Sequence, residues 1–116
     1  MPNDNTLRTR TKSFALRVMK LVDALPTTRA GDVIGKQLLR SATSVGANYR
    51  AAQRGRSRAE FCAKLGIVEE ESDECSYWRE LLCESGMVAA EALGDLMRES
   101  NEITAMVVAS IRTARD

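Results

Sequence analysis

Residues 37–78, QLLRSATSVGANYRAAQRGRSRAEFCAKLGIVEEESDECSYW, constrain the fold more than any other part of the chain. A basic, alanine-rich stretch turns at Gly55 and runs straight into an acidic one. Both halves carry apolar residues at helical spacing. Two helices of opposite charge joined by so short a turn pack side by side and antiparallel. In the second helix the stripe is Ile34, Leu38, Val45, Tyr49 and Ala52, with Ser41 or Ala42 filling the gap. Gly31, Gly35, Gly46 and several alanines thin its surface, so a neighbouring helix can come close. Gly55 is expected to take the left-handed position that commonly ends a helix. Ser57 and Glu60 form a capping-box pattern that starts the third helix. Phe61, Leu65, Val68, Ser72, Cys75 and Leu82 then follow at near-heptad spacing. Gly66, costly inside a helix, predicts a close helix contact at that point.

Two further helices flank this hairpin. Phe14, Val18, Leu21, Val22 and Leu25 share one face, and Pro26 forces a stop. Leu93, Leu96, Met97, Ile103, Met106, Val107 and Ile111 mark the last helix, whose start lacks a good cap. The expected spans are about 11–25, 29–54, 58–84 and 90–114. Aromatics are scarce, and no β-branched run alternates with polar residues. A chain of 116 residues is one domain, 1–116. Short connections make it all-α, an up-down-up-down four-helix bundle.

Composition removes several functions. The chain has no histidine, and its three cysteines, Cys62, Cys75 and Cys83, form no C-x-x-C. The usual structural zinc sites need four Cys or His ligands, so no metal or other cofactor is expected. A nucleophilic serine would lack its histidine base, so no catalytic residue is expected and the chain reads as non-enzymatic. The apolar runs are too short to span a bilayer, and the start MPNDNTLRTRTK has no secretory apolar stretch. A cytoplasmic protein is expected.

The formal charge of +1 hides its distribution. One end of such a bundle collects the start of the first helix, the turn at Gly55 and the end of the last helix. Ten cations fall there: Arg8, Arg10, Lys12, Arg50, Arg54, Arg56, Arg58, Lys64, Arg112 and Arg115. Only Asp4, Glu60 and Asp116 oppose them, an excess of about +7. The rest of the molecule is near −6. The basic end reads either as a solvated face or as an anion-binding one, most simply for nucleic-acid phosphates. No aromatic residue interleaves with these arginines, so binding would follow the phosphate backbone and be sensitive to salt.

The acidic run Glu69, Glu70, Glu71, Asp73, Glu74 puts Glu70 and Glu74 one turn apart. A di-iron bundle wants Glu-x-x-His, and no His exists. These acids are expected to pair with Lys36 and Arg40, within a subunit or between subunits. Ser41, Ser44 and Asn48 form a polar row expected to bond between helices. Trp78, beside Tyr77, reads either as core or as an oligomer contact, and the second is preferred because Trp is enriched there.

Several segments together carry a family resemblance: LRSATSVGAN at 39–48, RGRSRAEF at 54–61, KLGIVEE at 64–70, NEITAM at 101–106 and SIRT at 110–113. With them the chain resembles the four helix bundle protein family, also described as the 23S rRNA intervening-sequence proteins. The resemblance implies a homopentameric, barrel-like ring. Some members are encoded within insertions in ribosomal RNA genes. A related group, the accessory proteins of diversity-generating retroelements, binds reverse transcriptase and nucleic acid through a basic ring. Members often carry an acidic residue before the turn glycine, where this chain has Arg54. A ring would repeat the basic end around one rim, letting weak phosphate contacts act together.

The expectation is therefore an oligomeric bundle that binds RNA or DNA, or a nucleoprotein partner such as a reverse transcriptase. The binding residues would be Arg50, Arg54, Arg56, Arg58, Lys64 and Arg112. The contacts between helices or subunits would be Lys36, Arg40, Ser44, Asn48, Glu70, Glu74 and Trp78. The alternative is a structural or protein-interaction module that binds no nucleic acid.

Overall fold

Four long helices follow one another without intervening strands: α1 (Pro2–Asp23), α2 (Arg29–Gln53), α3 (Arg58–Glu84) and α4 (Ala90–Arg115). This computed structural model describes residues 2–115, with side chains described from residue 6 onward. The side chains of Asp4 and Asp116, counted above at the basic end, lie outside the described residues. Each helix packs on the next, α2 against α3 most extensively and α1 against α4 least. The bundle measures 45 × 22 × 19 Å, the length expected when helices of this size lie side by side.

The core is drawn largely from the predicted stripes, although Leu21, Val22, Leu25, Ile34, Phe61, Met97 and Met106 are only partly buried against it. Phe14 and Val18 come from α1; Leu38, Ala42, Val45, Tyr49 and Ala52 from α2. Leu65, Val68, Cys75 and Leu82 come from α3; Leu93, Leu96, Ile103, Val107 and Ile111 from α4. Thr11, Ser41, Ser72 and Ser100 are buried among them. Ser72 and Thr104 join α3 to α4 through a hydroxyl pair at 2.5 Å.

α1 starts nine residues before its expected boundary. Residues 2–10 carry one described apolar side chain, Leu7, which is too little to show a period. Leu7 is nonetheless buried in the core, and tertiary packing rather than propensity holds the first turns. α1 stops at Asp23, short of Pro26, and two tight turns then close on Leu21 and Val22.

The caps match their side chains. Thr28 accepts from the Gly31 amide and starts α2; Ser57 accepts from the Glu60 amide at 3.0 Å and starts α3. Two glycine expectations need correction. Gly55 is not left-handed; a Cβ there would stand 3.0 Å from the Ala52 carbonyl and 3.2 Å from the Phe61 amide, so the turn needs the missing side chain for space. The left-handed residue is Gly86 (φ 78), which closes α3. Gly66 meets no neighbour within 4 Å of an added Cβ, so no close helix contact lies there. The close approaches are on α2. A Cβ at Gly31 would stand 2.6 Å from the Pro26 carbonyl, and one at Gly46 would stand 3.3 Å from Thr11 Oγ1.

Candidate anion-binding surface

The approach of α1 to α2 at Gly46 shapes an open cleft of about 500 Å³. Arg8 and Lys12, one turn apart on α1, form one wall; Arg50 in the last turn of α2 and Arg54 at its C-cap form the other. Small residues make the floor: Thr11, Ala15, Thr43, Gly46 and Ala47. Among the described residues, no carboxylate lines it. Arg8 Nη1 donates to Gln53 Oε1 at 3.2 Å, which draws its head toward α2.

The other sequence-predicted cations lie outside this cleft. Arg56 and Arg58 are exposed at the turn and at the start of α3, Lys64 is half-buried one turn on, and Arg112 is exposed in the last turn of α4. Among the described residues, none of Arg8, Lys12, Arg50, Arg54, Arg56, Arg58, Lys64 or Arg112 makes an ion pair.

Three other cations, Arg10, Arg40 and Arg98, are held by carboxylates. Arg10 turns to the middle of α4, where Nε and Nη2 grip Glu99 at 2.9 and 2.7 Å and Nη2 also reaches Glu102 at 2.5 Å. These hydrogen bonds raise the Arg10 pKa and hold Glu99 below the usual carboxylate range. Arg10 therefore leaves the positive end, and the excess assigned to that end falls. Arg98 pairs with Asp95 on its own helix.

The α2–α3 contacts are more specific than expected. Arg40 binds Glu71 at 3.3 Å and also binds Glu74, whereas Lys36 and Glu70 are exposed and form no ion pair among the described residues. The Trp78 indole donates to Glu74 at 3.1 Å, and this bond, with help from Arg40, lowers the Glu74 pKa. Trp78 is half-buried, packs on the core and meets Tyr77 edge-on with ring centres 5.0 Å apart. The polar row bonds chiefly within α2 rather than between helices. Ser41 donates to the Gln37 carbonyl at 2.6 Å, and Asn48 donates to the Ser44 carbonyl at 2.9 Å. A hydroxyl back-bonded to its own helix satisfies itself locally.

Three features escaped the sequence. Arg8 and Lys12 were counted as basic but not assigned to a site; their four-residue spacing on one face of α1 was the available signal. Glu71, within the acidic run but not among the contact residues assigned above, joins Glu74 as a partner of Arg40. Arg79 occupies a core position on α3, at the spacing that continues Ser72, Cys75 and Leu82. It is only 4% exposed, and its Nε and Nη1 are buried without a hydrogen-bond partner. Burial accordingly lowers its pKa. Burial likewise pushes the Cys75 thiol up to about 12.

Among the described residues, no three His, Cys, Asp or Glu side chains converge as a metal-binding group, and no helix is long and apolar enough to cross a membrane. A model of the 23S rRNA-intervening sequence protein family matches residues 3–109. A crystal structure from Bacteroides thetaiotaomicron, of a protein with unknown function from the S23 ribosomal protein family, is similar over nearly the whole length. It shares 35% identity, covers 95% of this chain and 98% of its own, and superposes with a TM-score of 0.89. No curated protein matches.

Proposed function

The chain belongs to the 23S rRNA-intervening sequence protein family, and we propose that it is a non-enzymatic, homo-oligomeric bundle that binds nucleic acid or a nucleoprotein partner through its basic end. The observation that carries this reading is the contrast in pairing. Arg10, Arg40 and Arg98 each hold a carboxylate, while the cations around the α2–α3 turn and the α1–α2 cleft hold none among the described residues. Unpaired cations grouped at one end favour a polyanion with many phosphates. A homopentamer, which the family resemblance implies, would repeat that end five times around a rim. Exposed Leu16, Met19, Val33, Ile67 and Tyr77 give such an assembly apolar surface to bury. A reverse transcriptase bearing its RNA is one partner of this kind.

The test is an electrophoretic shift across salt, with native mass spectrometry for the assembly. Mixed-sequence RNA or DNA should shift at low salt and be released steeply as salt rises. Replacing Arg54, Arg56 and Arg58 together by alanine should weaken the shift. An unchanged shift would remove the turn from the binding surface, and no shift at low salt would favour a purely structural module.

A further inference from the structure

We infer that the α1–α2 cleft takes the phosphodiester backbone of a single nucleic-acid strand, with Arg8 and Lys12 on one wall and Arg50 and Arg54 on the other. This rests on the nucleic-acid reading above and gives it a path and a substrate class.

The argument begins with shape. A surface that receives a duplex meets a rod too wide to enter a gap between two adjacent helices, which lie roughly 8–10 Å apart. A duplex would touch only the lips of this cleft. A single backbone can lie in it, because the floor is small side chains over the close approach at Gly46. The cations come next. Each wall carries two, four residues apart, which spaces them about 6 Å along the helix. The helices are antiparallel, so both rows run along the cleft and can meet successive phosphates from either side. Four cations share the cleft with no lining carboxylate among the described residues, and their mutual repulsion is relieved by an anion seated between them. The lining contains no aromatic residue, so bases have nothing to stack on and are left facing solvent. The predicted mode is therefore indifferent to sequence.

The test uses the full chain and fluorescence anisotropy with a labelled mixed-sequence single strand and its duplex, across salt. The single strand should bind tighter than the duplex. Four phosphate contacts predict a log–log salt slope of about −2.8 for a single strand. Arg8→Ala with Lys12→Ala should lower affinity about tenfold and bring the slope to about −1.4. Both side chains are exposed, so circular dichroism should show an unchanged fold. Arg56→Ala with Arg58→Ala, outside the cleft, should cost less than the cleft pair. Single-strand binding that survives the cleft pair but is lost with the turn pair overturns the cleft and leaves the basic-end reading standing. Equal affinity for duplex and strand, or equal displacement by poly-glutamate, also overturns the cleft, as a general polyanion surface would behave so. No binding of either nucleic acid at low salt fails the broader reading itself.

Discussion

Arg79 offers the sharpest energetic test of the bundle. Its guanidinium sits in the core stripe of α3 with two donor nitrogens, Nε and Nη1, buried and without a partner among the described residues. Leaving a buried donor unpaired costs roughly 1–3 kcal/mol, so two cost about 2–6 kcal/mol. Arg79→Met keeps an unbranched apolar stem and removes both donors. It also leaves some unfilled volume where the guanidinium lay, worth roughly 1–2 kcal/mol. The net expectation is a gain of about 1–4 kcal/mol, the range found when buried charged groups give way to apolar ones. Arg79→Lys retains the charge and should gain nothing. The assay is urea unfolding followed by circular dichroism, at a fixed protomer concentration because assembly contributes to apparent stability. The midpoint should rise at constant slope for methionine and not for lysine. A methionine variant less stable than the parent by 1 kcal/mol or more would refute the reasoning, because it would mean the guanidinium has a partner in solution.

Three further outcomes follow from the structure. Gly66→Ala should stabilise by about 1 kcal/mol, since the helix gains propensity and an added Cβ meets no atom within 4 Å; a loss in thermal unfolding would contradict that open space. Glu99 and Glu74 have folded pKa values lowered from 4.5, so the stability they add is complete above that value and drains as pH falls through the lower, folded value. Acid unfolding should therefore begin below about pH 4.5, and Glu99→Gln should flatten that limb of the stability profile. Among the thiols, Cys62 and Cys83 are half-buried while Cys75 is buried with its pKa pushed up to about 12. Two thiols should react with a disulfide reagent in the native state, and the third only after denaturation; three fast thiols would contradict the burial of Cys75.

The contrast between paired and unpaired cations links these tests to function. Arg10 and Arg40 bridge helices and belong to the fold, so alanine at either should lower stability more than nucleic-acid affinity. Arg8, Lys12, Arg50 and Arg54 bridge nothing acidic among the described residues and should behave the other way round.

The sequence alone determined the four helices and most of the core. Apolar period, the Ser57 cap and the breaks around Pro26 and Gly55 are local signals, and local signals survive without knowing the neighbours. What required tertiary structure was every choice among neighbours. Whether α1 begins at residue 2 depended on Leu7 finding the core, and whether Arg10 counts as free charge depended on Glu99 lying opposite. Gly46 and Gly66 look alike in the sequence, yet only Gly46 is pressed by another helix. Arg79 carries a polar letter at a core spacing, and only packing decided that the spacing prevailed. The cleft is the clearest instance. Its walls come from residues some forty positions apart, and a helix turn can place two cations in a row, but only the approach of α1 to α2 can set two rows face to face.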